Sequence, residues 1–479
     1  MYDVAIVGCG IVGAAAAWEL SQYRLAVAIL ERENDVAVGT TKANSAIIHA
    51  GYDPKPHTKM AVLNIEGVHL AKELCQRLDV PYRQCGSLVV AFSPDEIPIL
   101  QELCERGKIN GVQDLQLLDR QQLHQVEPNL SESAEGALYA PTAAIVSPWE
   151  YALALAETAV QNGVNLFLNS EVISIRKEEE GFCLTIPGGE IRARTILNAA
   201  GVCADIVHNL IASPAYRIQP SRGEYYLLDK AEGSRAQHVI FQCPVPEGKG
   251  VLVSPTVHGN LIVGPNSQNV NIAQGTATTR SGLEFVMKQA QKSLPSIEFG
   301  QSIRNFAGIR ANTEIDDFII EEAADTPGFF DLAGIKSPGL TAAPAIAKLV
   351  VRMLREKGLV MEEKEHIVNT RKRIRFKECG QSQKEALARS NPAYGRMICR
   401  CESITEGEIL DTLHTPIPPV SLDGVKRRCG AGMGRCQGGF CGPRVLEIIA
   451  RENKCSPCQV LQEKAGTYIL TGSTKGSIN

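Results

Sequence analysis

Residues 2–31 read "YDVAIVGCGIVGAAAAWELSQYRLAVAILE". An apolar run over Asp3–Val7 enters a glycine turn, a stretch of small residues follows, and "AVAILE" closes the segment as a second apolar run. That order predicts the strand, helix and strand of a parallel β-α-β unit. Gly8, Gly10 and Gly13 form G-x-G-x-x-G at the strand-to-helix turn. The first permits the tight turn, the second lets backbone approach a pyrophosphate, and the third packs helix on strand. The helix start offers free N–H groups to phosphate. Glu31, 18 residues after Gly13, ends the second run where a carboxylate can accept hydrogen bonds from ribose hydroxyls. These features together predict a dinucleotide site, and they leave FAD and NAD undistinguished.

Composition sets the frame around this opening. At 479 residues, and with a prior of about 150 residues per domain, the chain is expected to hold about three units. Apolar residues at 44% and charged residues at 21% are the balance of a globular protein with a sizeable core. A net charge of −4 provides no bulk positive field for nucleic acid or an anionic membrane, so a small ligand is expected. Asp3 and Glu19 interrupt the early apolar residues and no basic leader precedes them, so neither a signal peptide nor a spanning helix is expected. Fifteen cysteines in such a chain point to a reducing compartment, a cytoplasm, where clustered thiols bind metal or do redox chemistry.

The middle of the chain alternates helical stretches, Glu66–Leu78 and Trp149–Gln161, with strand-like runs such as "GSLVVAF", "YYLLD" and "GVLVSP". Both α/β and antiparallel pieces are implied. "FFDLAGIKSPGLTAAPAIAKLVVRML" predicts a strand, a glycine turn and a helix starting near Thr341. Residues 356–395 turn polar and charged and read as a linker, whose basic run "TRKRIRFK" is a solvated stretch rather than a nucleic-acid site.

The last hundred residues have a different composition. Cys399 and Cys401 form C-x-C, Cys436 and Cys441 form C-x4-C, and "ITEGEILDTL" between them predicts a helix capped by Thr405. Two pairs brought together make a four-thiolate metal site, which suits zinc as well as iron and sulfide. Cys429 is a competing thiolate, and Cys455 with Cys458 makes a further C-x2-C. Arg400, Lys426, Arg427, Arg428 and Arg435 can stabilise an anionic cluster or serve as ordinary surface charge.

The stretches "GTTKANSAIIHAGYDPKPHTKMAVLN", "ILNAAG", "GKGVLVSP", "LIVGPN", "FAGIRAN" and "IKSPGLTAAPAI", in that order, resemble the D-amino-acid-oxidase-like flavoproteins. The likeness is strongest to the non-membrane glycerol-3-phosphate oxidising branch, with L-2-hydroxyglutarate dehydrogenases next. It implies an α/β (α+β) fold: a Rossmann-like FAD-binding domain over residues 1–355, with an antiparallel-sheet substrate domain inserted at roughly 80–150 and 215–310. It implies FAD as cofactor. Thr40, Thr41 and Ser45 would approach the flavin and its phosphates, although turn capping accounts for such residues equally well. Ala200 and Gly201 would line the adenine and pyrophosphate side, and Gly334, Gly339, Leu340 and Thr341 would bring a helix start to the flavin ring.

Oxidising a secondary alcohol needs a base, and a histidine titrates in the useful range. A lone histidine in an apolar strand is ordinarily a core residue, but His49 in "IIHAG" occupies the position of the family's base. Arg310 in "FAGIRAN" matches the family's clamp on phosphate or carboxylate, with Lys249, Lys336 and Ser337 as further candidates around a small anionic substrate.

The tail, "DGVKRRCGAGMGRCQGGFCGPRVLEII" included, resembles the bacterioferritin-associated-ferredoxin type of 2Fe-2S domain. It implies a small helical domain over 396–455 followed by a tail, 456–479, with Cys399, Cys401, Cys436 and Cys441 as ligands. The C-x4-C pair is wider than the C-x2-C of the small ferredoxin. A cluster beside a flavin implies a dehydrogenase that oxidises glycerol 3-phosphate to dihydroxyacetone phosphate and passes electrons to a protein subunit or quinone-linked component. The alternatives are a 2-hydroxy-acid dehydrogenase, or a flavin oxidase with a zinc-stapled docking tail.

Overall fold

The computed structural model describes residues 1–244, 250–271 and 275–472. The chain divides into two compact units, one of Met1–Leu30 with Ala37–Arg371, the other of Glu31–Val36 with Lys372–Asn479.

In the first unit the opening segment folds as strand Tyr2–Val7, helix Ile11–Leu20 and strand Val27–Leu30. Val4, Ala5 and Ile6 pair in parallel with Val27, Ala28 and Ile29 on one side and with Thr195, Ile196 and Leu197 on the other. Both short strands are buried along most of their length, which is why they read as unbroken apolar runs rather than alternating ones. The glycine turn between strand and helix has steric reasons. Gly8 sits at φ +97°, and a Cβ on Gly13 would lie 2.0 Å from the Gly8 carbonyl oxygen.

Strand Gly189–Asn198 continues this sheet. Its first half pairs antiparallel with Gly181–Ile186 and its last residues pair in parallel with Phe329–Ala333, giving an eight-stranded sheet. Helices Ile11–Leu20, Pro148–Gln161 and Gly339–Glu356 pack together over it.

A nine-stranded sheet draws its strands from residues 87–140 and 219–312. Its longest pairing is antiparallel, Gln219–Leu228 against Ser302–Asn312, and the two chain sections join where Ser87–Ala91 runs parallel to Val239–Gln242. Alternation sorts the side chains into two cores. Leu88, Val90 and Ile240 enter one cluster, while Val89, Ala91 and Phe241 enter the other, together with Ile47, Ala50 and Tyr52.

Two boundaries differ from expectation. The helix expected from Glu66 begins at Lys59, capped by the Thr58 side chain, which accepts from Ala61 N, and the one expected near Thr341 begins at Gly339. The stretch expected as a linker carries helix Gln381–Ser390, and from Lys372 onward it belongs to the second unit.

The second unit is built on helices Glu406–Leu413, Leu422–Cys429 and Gly442–Glu452, whose apolar faces close over Ile398, Ile404, Ile409, Val425 and Ile449. Thr405 caps the first of them. Its hydroxyl accepts from Glu408 N, as the expected Thr405 cap requires, and the Glu408 carboxylate accepts from Thr405 N, which completes a capping box. Residues 31–36 belong to this unit through Asp35. Its carboxylate is 2% exposed and accepts from Arg428 at 2.8 and 2.9 Å and from Arg427 at 2.9 Å. No helix among the described residues is long and apolar enough to cross a membrane.

Candidate active site and thiolate site

At the glycine turn, helix Ile11–Leu20 follows Gly10, which brings no side chain of its own to the helix start. A Cβ on Gly10 would meet only the Thr41 hydroxyl, 3.3 Å away, so the backbone around it stays open to a ligand. A helix start beside a glycine turn is the arrangement that takes a pyrophosphate, and the residues present fit FAD there. Thr41 Oγ1 accepts from Ile11 N at 3.0 Å and Thr40 Oγ1 donates to the Ile309 carbonyl at 2.7 Å, so both hydroxyls fix the loop against its neighbours. Glu31 directly follows the second strand, and its Oε1 accepts from Glu33 N. Ser45 shares a 3.2 Å hydrogen bond with the Tyr225 hydroxyl.

The "NAAG" turn is set from below by a buried network. Asn198 Nδ2 donates to Asp331 at 2.8 Å, Tyr216 donates to the same carboxylate at 2.8 Å, and His208 Nδ1 lies 2.7 Å from its other oxygen. Burial foremost, and then the Asp331 charge, push the Tyr216 phenol well above its usual range. Ala200 and Gly201, the latter at φ +58°, follow at the surface end of this strand.

His49 is half-buried and held at both backbone and ring. Its N–H donates to Thr341 Oγ1 at 2.9 Å, its carbonyl accepts from Asn64 Nδ2 at 3.0 Å, and Nε2 lies 3.1 Å from Ser337 Oγ. The Phe241 ring sits 5.8 Å away between centroids and forms an apolar wall. Gly334 turns at φ +62° just before this segment, and Gly339, Leu340 and Thr341 open the long helix. That helix start is fixed by close packing, since a Cβ on Gly67 would fall 2.2 Å from the Thr341 carbonyl. Arg310, on the strand Ser302–Asn312, donates to the Asn266 carbonyl at 3.3 Å and is half-buried. Lys336 lies 3.5 Å from Asp316, whose other oxygen holds Lys55 at 2.7 Å. The hydrogen bond from Lys55 comes first among the causes that hold the Asp316 carboxyl below its usual range. Lys249 lies outside the described residues.

The structure thus joins His49 and Ser337 directly and adds Asn64, Phe241, Asp316 and Lys55, which the sequence reading missed. Asn64 and Lys55 stand in the quoted flavin stretch and were within reach of a reading that asked what fixes the histidine. Phe241 and Asp316 carry no local signal.

In the second unit the four expected thiols come as two pairs that cross the motifs. Cys401 Sγ lies 3.8 Å from Cys436 Sγ, which is about the separation of two thiolates sharing one tetrahedral metal. The hydrogen bond that Cys399 accepts from the Cys441 thiol holds the Cys399 thiol below its usual range, and donating that bond pushes Cys441 up. The four thiols thus come as two pairs, a donor set that a two-iron cluster takes. Cys399 and Cys441 are each 1% exposed, whereas Cys401 and Cys436 face solvent. Cys429 is not part of either pair: its thiol donates to the Val425 carbonyl, and burial raises it to about 11. Arg427 and Arg428, considered as cluster cations, turn instead to Asp35, because a buried carboxylate offers them paired hydrogen bonds.

Residues 3–353 match the family described as FAD dependent oxidoreductase, and residues 397–451 match the BFD-like 2Fe-2S binding domain. A glycerol 3-phosphate dehydrogenase of Caloramator mitchellensis is 47% identical over 479 residues, covering 100% of both chains. The mitochondrial L-2-hydroxyglutarate dehydrogenase of Homo sapiens is 29% identical, over 73% of this chain and 88% of its own. Among solved structures, the dithionite-reduced L-alpha-glycerophosphate oxidase of Mycoplasma pneumoniae with FAD bound is similar at a TM-score of 0.73. Its identity is 33%, over 77% of this chain and 98% of its own.

Proposed function

Because the chain belongs to the FAD dependent oxidoreductase family and carries a BFD-like 2Fe-2S binding domain, we propose that it is a dehydrogenase oxidising glycerol 3-phosphate to dihydroxyacetone phosphate. The observation that carries this reading is the 47% identity to a glycerol 3-phosphate dehydrogenase over 100% of both chains, the thiolate tail included. We read residues 1–355 as the catalytic part and 396–455 as the cluster domain.

His49 takes the proton of the substrate hydroxyl at Nε2, the nitrogen that Ser337 Oγ reaches at 3.1 Å, so the serine positions the ring and then yields to substrate. Thr341 and Asn64 hold the His49 backbone, which fixes where that nitrogen points. Arg310 clamps the phosphate through its planar guanidinium, and Lys336 adds positive charge at the rim. Phe241 excludes water from the face of the imidazole. Bound FAD supplies the acceptor for the hydride from carbon, and the cluster held by Cys399, Cys401, Cys436 and Cys441 supplies one-electron passage to a protein or quinone-linked acceptor.

A 2-hydroxy acid is the second reading, since Arg310 pairs with a carboxylate as readily as with a phosphate. Steady-state turnover of purified enzyme with a small quinone as acceptor tests the choice. Activity with glycerol 3-phosphate and none with 2-hydroxyglutarate is expected, and the reverse order of substrates overturns the assignment.

A further inference from the structure

Electrons that reach the cluster must leave where its ligands are least covered, because transfer between centres falls steeply with distance. Cys401 and Cys436 are the exposed pair, and the residue beside them is Phe440, 53% exposed. The Phe440 N–H is directed at Cys436. The ring itself points outward between two arginines, with Arg400 5.2 Å and Arg444 5.9 Å from its centroid. Among the described residues neither guanidinium has a carboxylate partner.

Arg444 also lines a groove of about 410 Å³ with Arg396, Met397, Glu406, Glu447 and Arg451. Met397 is 38% exposed in it. Glu406 is buried and already accepts from Arg396 at 2.6 Å and Arg451 at 2.9 Å, so of the two acids only Glu447 faces solvent. The face therefore joins two exposed apolar anchors to a surplus of arginine. Aromatic and arginine side chains of this kind are enriched where proteins dock, whereas a small quinone needs neither.

We infer that the Phe440 tip and the adjoining groove form the docking surface for a small acidic one-electron carrier protein. The surface makes the carrier's acidic patch complementary to Arg400 and Arg444 and brings its redox centre to the Cys401–Cys436 side. Each encounter moves one electron from reduced cluster to carrier, so two encounters clear one substrate oxidation. The inference rests on the electron path proposed above, and its test is arranged so that the two can fail separately.

Binding of oxidised flavodoxin, an acidic carrier, to the full-length holoenzyme is measured by calorimetry, with cytochrome c as a basic carrier for comparison. Flavodoxin is expected to bind with an affinity that falls about tenfold as salt is raised, while cytochrome c does not bind. Phe440→Ala and Arg444→Glu are each expected to weaken flavodoxin binding at least tenfold without changing cluster absorbance. Holoenzyme reduced with dithionite, freed of excess reductant and mixed with the carrier then reports transfer by reoxidation of the cluster band even if substrate never reduces it. Absence of flavodoxin binding, binding untouched by both variants, or tighter binding of cytochrome c overturns the inference.

Discussion

His49 owes its orientation to Thr341, Asn64 and Ser337, so its replacement tests chemistry rather than folding. His49→Asn with FAD retained is expected to slow substrate reduction of the flavin by about 10²-fold or more, the usual worth of a positioned base. Rapid mixing under anaerobic conditions checks this, and an unchanged rate removes His49 from the reaction. Asp35 makes a second residue-scale prediction. Burial alone would raise its carboxyl, yet Arg428 and Arg427 outweigh burial and hold it at about 2. Its folded pKa lies below its unfolded one, so the pairing stabilises the second unit at neutral pH. That contribution, about 2 kcal/mol, begins to fade below about pH 4 and is lost as pH falls through about 2. Asp35→Asn removes the buried counter-charge that Arg428 and Arg427 share, although Arg427 keeps Glu463 at 3.1 Å, and a loss of about 3 kcal/mol at pH 7 is expected in denaturant unfolding.

At the scale of elements, two helix starts decide the two sites. Gly67→Val would force its helix away from the Thr341 carbonyl 2.2 Å from the built Cβ, shifting the residue that holds His49. A rise in KM together with weaker FAD retention is expected, checked by kinetics and by flavin release on dilution. Thr405→Ala removes one half of the capping box and should cost about 1 kcal/mol, read as a lower midpoint for loss of the cluster's visible band on heating. The elements also show what was legible beforehand. The β-α-β opening and the Thr405 helix could be read because their signals are local: a glycine turn between apolar runs, and a threonine three residues before a glutamate. The start at Lys59 is not announced although Thr58 carries the same capping chemistry, since the apolar residues of the first turn, Met60–Leu63, run together without helical spacing. Helix Gln381–Ser390 lies in a stretch that reads as linker because none of its residues is buried, so no apolar periodicity marks it. The pairing of Ser87–Ala91 with Val239–Gln242 joins strands some 150 residues apart, and no local pattern announces it. Phe241 reaches His49 only through that pairing, which is why the wall of the site could not be named from sequence while its histidine could.

At the scale of the whole molecule the central claim is that one chain couples a two-electron oxidation to one-electron export. Cys436→Ser is expected to abolish the cluster's visible absorbance while leaving FAD content and flavin reduction by substrate intact, which a paired metal analysis and spectrum would check. The measurement that bears most directly on the claim is an anaerobic spectral titration of cluster-intact protein with glycerol 3-phosphate, following flavin and cluster bands together. Bleaching of both bands is the expected result. A flavin that bleaches while the cluster stays oxidised, or a protein that responds to 2-hydroxyglutarate and not to glycerol 3-phosphate, would contradict it.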